Sequence, residues 1–337
     1  MRLSGFCQNA IAIGGALLLI AESLCFTAPA FSRDFKPAIA FDAGGRQDES
    51  FNQAAARGVD RFKAETGIDP LSAEATGAAT REGVLRTLAG QGASIVVAVG
   101  FAYSDAVETV AKEFPDVEFT IIDAVAAGAN IQAVTMREQE GSFLVGMVAA
   151  MKSKTGKLGF IGGIDAPLIR KFAAGYKLGA LRINPHTEIV EDTIGSDEHA
   201  WHDPDRAAAL ARRQFAEGAD IVYAAAGASG LGVYKVAKEA GKLAIGVDSN
   251  QNGLYPGTML TSMVKRVDVI VYKAFKSAQE GDWTAGAENL GLANDAVGWA
   301  LDENNRSLIT PAMEQRVNRV AQDIIAGRIQ VSDYSAR

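Results

Sequence analysis

The sequence predicts an α/β protein in which parallel sheets are covered by helices. Three observations carry this. From residue 36 onward, short apolar runs alternate with amphipathic stretches. The apolar runs are hydrophobic on both faces, as suits strands sandwiched between helix layers. Glycines also fall near the ends of amphipathic stretches, at Gly90, Gly218, Gly241 and Gly281, where helices stop.

PAIAFDA is the first expected strand, and a helix over 52–65 follows, with Ala55, Val59 and Phe62 on one face. A helix over 79–90 leads to the strand ASIVVAVG at 93–100. A helix over 103–113 then leads to EFTIIDA at 118–124. Beyond a helix over 138–151 comes KLGFIGG at 157–163, then a helix over 167–183 and TEIVEDT at 187–193. Asp203 followed by Pro204 is a helix start, an N-cap residue before a proline in the first turn. That helix, 204–217, precedes DIVYAAA at 220–226. The helix 230–240, KLAIGVD at 242–248, TMLTSM at 258–263 and a helix over 266–280 complete the alternation. Such alternation implies right-handed crossovers. No proline- or serine-rich tether interrupts it, so any second domain is joined by strands.

The bulk numbers agree with a folded chain large enough for two domains. It has 337 residues, 48% hydrophobic and 22% charged. A net charge of −7 without a basic block argues against a nucleic-acid partner. The first thirty residues stand apart. Arg2 precedes the apolar run AIAIGGALLLIA, and Ala28 and Ala30 form a small-residue cleavage pattern. This is the pattern of a signal peptide over 1–30, and the run is short of the roughly 20 residues a membrane span needs. Cys25 raises the alternative of lipid attachment, but Glu22-Ser23-Leu24 before it is a poor match for that signal. Both cysteines, Cys7 and Cys25, lie in this segment, so a processed chain has no disulfide and no thiol nucleophile.

Six stretches in order carry a resemblance: FDAGGRQDESFNQAA, VAVGFAYSDAVETVAKEFPDVEFTIID, EGSFLVGMVAA, GFIGGIDAPLIRKFAAGYKLGA, GADIVYAAAGASGLGVYKVAKEAGKLAIGVDSNQ and LTSMVKRVD. Together they resemble the basic membrane protein family over about residues 36 to 280. These are substrate-binding proteins of ABC transporters, many of which bind purine nucleosides. The resemblance implies a type I periplasmic-binding-protein fold, two doubly wound lobes joined by a three-segment hinge. The hinge crossings are expected near 133–137, 257–262 and 288–298. The N-terminal lobe would hold 36–134 plus 262–288, and the C-terminal lobe 138–256 plus about 290–330. The implied protein is a periplasmic monomer, not an enzyme, that binds a purine nucleoside or nucleobase and delivers it to an inner-membrane permease. No cofactor is implied. A sugar or autoinducer receptor on the same fold is the alternative, and a nucleoside-processing enzyme a more distant one.

Ligands of open α/β sheets bind at the carboxyl ends of strands. Asp48 and Asn52 lie four apart at the first helix start, and the family's matching residues contact ligand. Asp48 also reads as a plain helix cap. Phe51 between them either stacks on a base or staples the helix to its sheet. Asp123 ends the strand FTIID, where a cleft group belongs. Phe101, Tyr103 and Asp105 follow another strand, and Asp105 reads equally as a cap. Phe172 has core spacing with Leu168 and Tyr176, while the family places an aromatic partner for the base there. Gly227, Gly230 and Gly232 follow a strand with G-x-x-G-x-G spacing, which is not the dinucleotide fingerprint. Glycine still permits close backbone approach, and Gly227 is the position expected against the ligand. Asp248 at a strand end and Lys265 can pair with each other and also hold two adjacent ribose hydroxyls, or form a plain structural ion pair. EHAWHDPD offers His199 and His202 beside Asp203, but no further ligand for zinc is evident.

Overall fold

A computed structural model describes residues 34–333. The expected signal peptide, with Cys7 and Cys25, lies outside the described residues. Among the described residues, no helix is long and apolar enough to cross a membrane.

The chain runs β1 (Pro37–Phe41), α1 (Phe51–Thr66), β2 (Leu71–Glu74), α2 (Arg81–Gly90), β3 (Ile95–Val99), α3 (Ser104–Glu113), β4 (Glu118–Ile122) and β5 (Ile131–Met136). It continues with α4 (Glu138–Lys152), β6 (Lys157–Gly162), α5 (Pro167–Ile183), β7 (Glu188–Thr193), α6 (Pro204–Ala216), β8 (Ile221–Ala225), α7 (Gly230–Glu239), β9 (Leu243–Asp248) and β10 (Met259–Lys265). The remainder is α8 (Val267–Glu280), β11 (Gly286–Leu290), β12 (Val297–Trp299) and α9 (Pro311–Ile325). The strands form two six-stranded sheets, in the orders β11-β5-β4-β3-β1-β2 and β12-β10-β9-β8-β6-β7. The first is parallel throughout. The second is parallel except for β12, which runs antiparallel to β10.

Period-two burial explains the layering. In β1, Ile39 and Phe41 join one core cluster while Ala38 and Ala40 join another, and all are buried. The second sheet repeats this, with Ile221 and Tyr223 on one face of β8 and Val222 and Ala224 on the other. Both faces of each sheet therefore need a helix layer. The helices that follow β5 and β10 cross to the opposite sheet. α4 packs on α5, and α8 packs on α1. The α4–α5 contact is unusually close. A methyl group on Gly175, Gly179 or Gly146 would collide with the main chain of Gln139, Phe143 or Tyr176 respectively.

The sequence reading differs from the structure in several places. β2 was not expected, because LSAE is an edge strand with alternating half-exposed residues. Residues 131–136 form a full strand of the first sheet that was not read as one, and the chain leaves the sheet after Met136, within the stretch 133–137 where a crossing was expected. The crossing expected at 257–262 falls inside the second sheet, because β10 continues to Lys265. Residues 262–265 thus belong to the second sheet, not the first. The stretch 288–298 contains the end of β11, in the first sheet, and the start of β12, in the second. Gly90 is the last residue of α2, and the turn after it uses Gly92 at φ +87°. Asp203 caps α6 as expected, accepting from the Arg206 amide at 2.9 Å.

Candidate functional site

The carboxyl ends of both sheets meet around one cavity of about 650 Å³ of space free of atoms, its mouth included. Asp48, Phe51, Asn52, Phe101, Asp123, Phe172, Gly227, Asp248 and Lys265 line it, whereas Tyr103 is a core residue bonded to the Phe41 carbonyl and Asp105 is exposed in the first turn of α3. Its position follows from parallel topology, which gathers strand-to-helix loops at one edge. Asp123 directly follows β4 and Asp248 ends β9, and both adopt left-handed backbone, at φ +71° and +62°. Aspartate tolerates that region better than most residues, at a cost of about 1–3 kcal/mol each. Strain of this size at equivalent positions of two sheets points to a demand on where those carboxylates sit.

The sequence-level roles are redistributed. Asp48 is a helix cap: its oxygens accept the amides of Ser50 at 2.8 Å, Asn52 at 2.9 Å and Gln53 at 2.9 Å. Burial raises its pKa against those amide bonds. The Asn52 side chain pairs weakly with the main chain of Asp42, at 3.3 and 3.4 Å, and so braces the loop after β1. Phe172 belongs to the core and to the cavity wall at once. Gly227 has φ +56°, and a side chain there would press on the Trp201 carbonyl.

Lys265 does not take Asp248 as its close partner, contrary to expectation. Its ammonium is 2.6 Å from Asp123 and 3.1 Å from Glu138, and all three side chains are buried. It also sits 5.1 Å from the ring centre of Phe51 and 5.5 Å from that of Phe172, within cation–π reach. Burial lowers the lysine's pKa, but Asp123, Glu138 and Asp248 outweigh it and hold the value above the ordinary one. Asp248 instead accepts from the Ser50 hydroxyl at 2.7 Å. Burial pushes its pKa up to about 7, and the pull of Lys265 and Ser50 does not cancel that. Burial likewise raises Glu138, despite the nearby lysine. Asp123 Oδ1 is buried without a hydrogen-bond partner. A buried acceptor of this kind costs about 1–3 kcal/mol unless a donor arrives.

Other lining residues escaped the sequence reading. Asp42 directly follows β1 just as Asp123 directly follows β4, but the denser polar cluster Asp48–Asn52 lies close to it in the sequence. Arg81 gives Asp42 two bonds, at 3.0 and 2.8 Å, both to Oδ1. Gly100 admits Asp42 closely, since an added Cβ would lie 2.9 Å from Oδ2. Trp201 stands edge-on to Phe101, with ring centres 6.3 Å apart. It lies in EHAWHDPD, where the histidines drew the eye, yet His199 is exposed and Trp201 lines the cavity. Among the described residues, no group of His, Cys, Asp and Glu is arranged to hold a metal ion.

The two sheets also bond directly beside the cavity. Ser249 Oγ donates to the Ser50 carbonyl at 2.7 Å, Gln251 Nε2 to the Glu49 carbonyl at 2.8 Å and Arg57 Nη2 to Ser249 Oγ at 3.0 Å.

A two-sheet α/β fold with a cavity between facing strand ends is an arrangement suited to binding a small molecule. Comparison with known proteins gives the particular family. The family profile described as ABC transporter substrate-binding protein PnrA-like matches residues 35–335, and the chain belongs to that Bmp family. It is 32% identical to the CD4+ T-cell-stimulating antigen of Listeria monocytogenes, over 90% of this chain and 89% of that one. It is also 32% identical to basic membrane protein A1 of Borrelia garinii, over 86% of each. Among solved structures, an ABC transporter solute-binding protein from Aeropyrum pernix K1 superposes with a TM-score of 0.81. That likeness has 29% identity and covers 89% of this chain and 93% of the other. The fold is thus the type I periplasmic-binding-protein fold, and the role is substrate binding for an ABC transporter.

Proposed function

We propose that the protein is a periplasmic receptor that takes a purine nucleoside or nucleobase into the inter-sheet cavity and hands it to a membrane permease. Each sheet with its helices acts as a lobe. The first comprises β1–β5, α8 and β11, and the second β6–β10, α4, β12 and α9. Export relies on the signal peptide read at 1–30.

The observation that carries this reading is the composition of the cavity wall. Aromatic rings of Phe51, Phe101, Phe172 and Trp201 line the cavity together with Asp123, whose buried Oδ1 lacks a donor. Aromatic faces favour a flat heterocycle. An unpaired buried acceptor favours a ligand with N–H or O–H groups over one without. The carboxylates of Asp123 and Asp248 and the ammonium of Lys265 supply what adjacent hydroxyls and ring nitrogens need. Closure follows from contacts the ligand makes only when both lobes touch it.

Titration calorimetry of protein unfolded and refolded to strip carried-over ligand tests the reading. Inosine, adenosine, guanosine and hypoxanthine are expected to give binding heat. Heat from ribose or other pentoses with none from purines would replace this reading with a sugar receptor. Release of free base from a nucleoside would replace it with an enzyme. Asp248→Ala is expected to weaken nucleoside binding more than free-base binding, and equal losses would remove its ribose role.

A further inference from the structure

We infer that Arg81 and Glu198 form a closure latch, in which one guanidinium both orients Asp42 at the cavity and ties the Trp201 loop of the second sheet to the first. The inference rests on the reading of the cavity as a ligand site that opens and closes.

Arg81 is the first residue of α2 and is buried, with 6% of its surface exposed. Its Nε and Nη2 donate to Asp42 Oδ1, and Nη2 also donates to Glu198 Oε2 at 2.6 Å. Glu198 belongs to the loop between β7 and α6, on the other sheet. Its second oxygen accepts the Ala78 amide at 3.3 Å, at the start of the short 3-10 turn that leads into α2. That is a helix N-terminus, where a carboxylate is favoured. Gly77 leaves room for it, because a Cβ there would lie 2.9 Å from Oε1. Trp201 follows in the same loop, meets Phe101 of the first sheet edge-on and lines the cavity. Glu198 therefore pins the segment that brings an aromatic wall to the site.

Ser249 and Gln251 also bond the first sheet directly, whereas Arg81 and Glu198 hold the loop that carries Trp201. Lys265 ends β10 and Glu138 starts α4, so each lies beside a crossing between the sheets. Arg81 and Glu198 are remote in sequence from every crossing, and separation of the sheets must break them. Arg81 keeps Asp42 in either state, and its second carboxylate arrives only on closing. A planar guanidinium can serve two carboxylates at once, which an ammonium does less well.

The test uses the full chain with Cys7→Ser and Cys25→Ser, and inosine as the probe. Spin labels on Asp105→Cys and Asp205→Cys, both exposed and at the starts of α3 and α6, report lobe separation. Glu198→Ala is expected to raise the inosine dissociation rate about 10-fold, a figure discounted for partial exposure of Glu198. The association rate should stay within about two-fold, since the latch forms after encounter. The ligand-free label distances should shift to longer values. Arg81→Ala should exceed Glu198→Ala, because it also releases Asp42, and adding Glu198→Ala to it should change little more. Arg81→Lys should fall between Arg81→Ala and the unaltered protein. Unchanged dissociation and unchanged label distances in Glu198→Ala would overturn the latch. If the unaltered chain binds no nucleoside, the functional reading fails instead, and the ligand-free distances still decide the latch.

Discussion

Asp248→Asn should make the ligand-free protein more stable at neutral pH and flatten its stability between about pH 4 and 7. The carboxyl is buried, and its pKa rises from 3.8 to about 7. Below pH 4 the folded and unfolded chains both hold the proton, so the site carries no charge penalty. As pH rises toward 7, the unfolded chain releases the proton while the folded chain keeps it. Stability therefore falls by about 1.4 kcal/mol per pH unit, and the loss is complete once the folded group also ionises. A shift of this size amounts to a loss on the order of 4 kcal/mol across the window. Asparagine is nearly isosteric, tolerates the left-handed backbone and can still accept from Ser50. Urea denaturation of both proteins at pH 4, 5, 6, 7 and 8 is the assay. The stability difference, variant minus unaltered protein, should grow with pH to about 7 and then level. A constant difference at every pH would refute the argument, because it would mean that Asp248 ionises alike in both states.

Lys265→Met should cost about 3–5 kcal/mol in urea, because it strands Asp123 and Glu138 as buried unpaired charges. Adding Glu138→Gln should recover part of that, and no recovery would argue against the charge explanation. Gly179→Ala should lower stability by about 1–3 kcal/mol through collision with α4, and a neutral result would mean that the α4–α5 contact relaxes freely. Thr310→Ala should lower the thermal midpoint by an amount matching about 1 kcal/mol, since Thr310 Oγ1 caps α9 by accepting the Met313 amide at 3.2 Å, whereas Thr310→Ser should be nearly silent.

Most inner strands were legible because burial on both faces leaves little room for polar residues, but β5, IQAVTM with Gln132 and Thr135 half-exposed, was not. β3 is IVVAV and β8 is IVYAA, with every residue buried. Of the edge strands, β7 was legible from TEIVEDT, while β2, β11 and β12 were not. β11 reads GAENL and is almost wholly exposed, so its strand character comes from pairing with β5 rather than from its composition. The site divides in the same way. Asp123 and Asp248 could be picked out because each closes an apolar run, a position that parallel topology puts at a cleft. Arg81 and Glu198 could not, because each lies at a helix start and their meeting depends on how two sheets face each other. The partner of Lys265 was misread for a related reason. Asp248 precedes it by one strand, but tertiary packing gives the ammonium to Asp123 of the other sheet.

The two sheets repeat one plan, and the site consists of two copies of it face to face. β5-β4-β3-β1-β2 matches β10-β9-β8-β6-β7 strand for strand. Phe51 and Phe172 lie on the first helix of each half, Gly100 and Gly227 follow the third strand, and Asp123 and Asp248 lie at the end of the fourth. Lys265 breaks the symmetry. It ends β10, where the matching end of β5 carries Met136. One ammonium therefore serves carboxylates from both halves, and Asp123 is paired only when the halves meet. Such buried pairing gains little net free energy, because desolvation offsets the Coulomb attraction. Closure of an empty site is then weakly driven, and the unpaired Asp123 oxygen opposes it further. A ligand that donates to that oxygen removes the opposing cost only in the closed form, and that difference between states is what binding needs to shift the equilibrium.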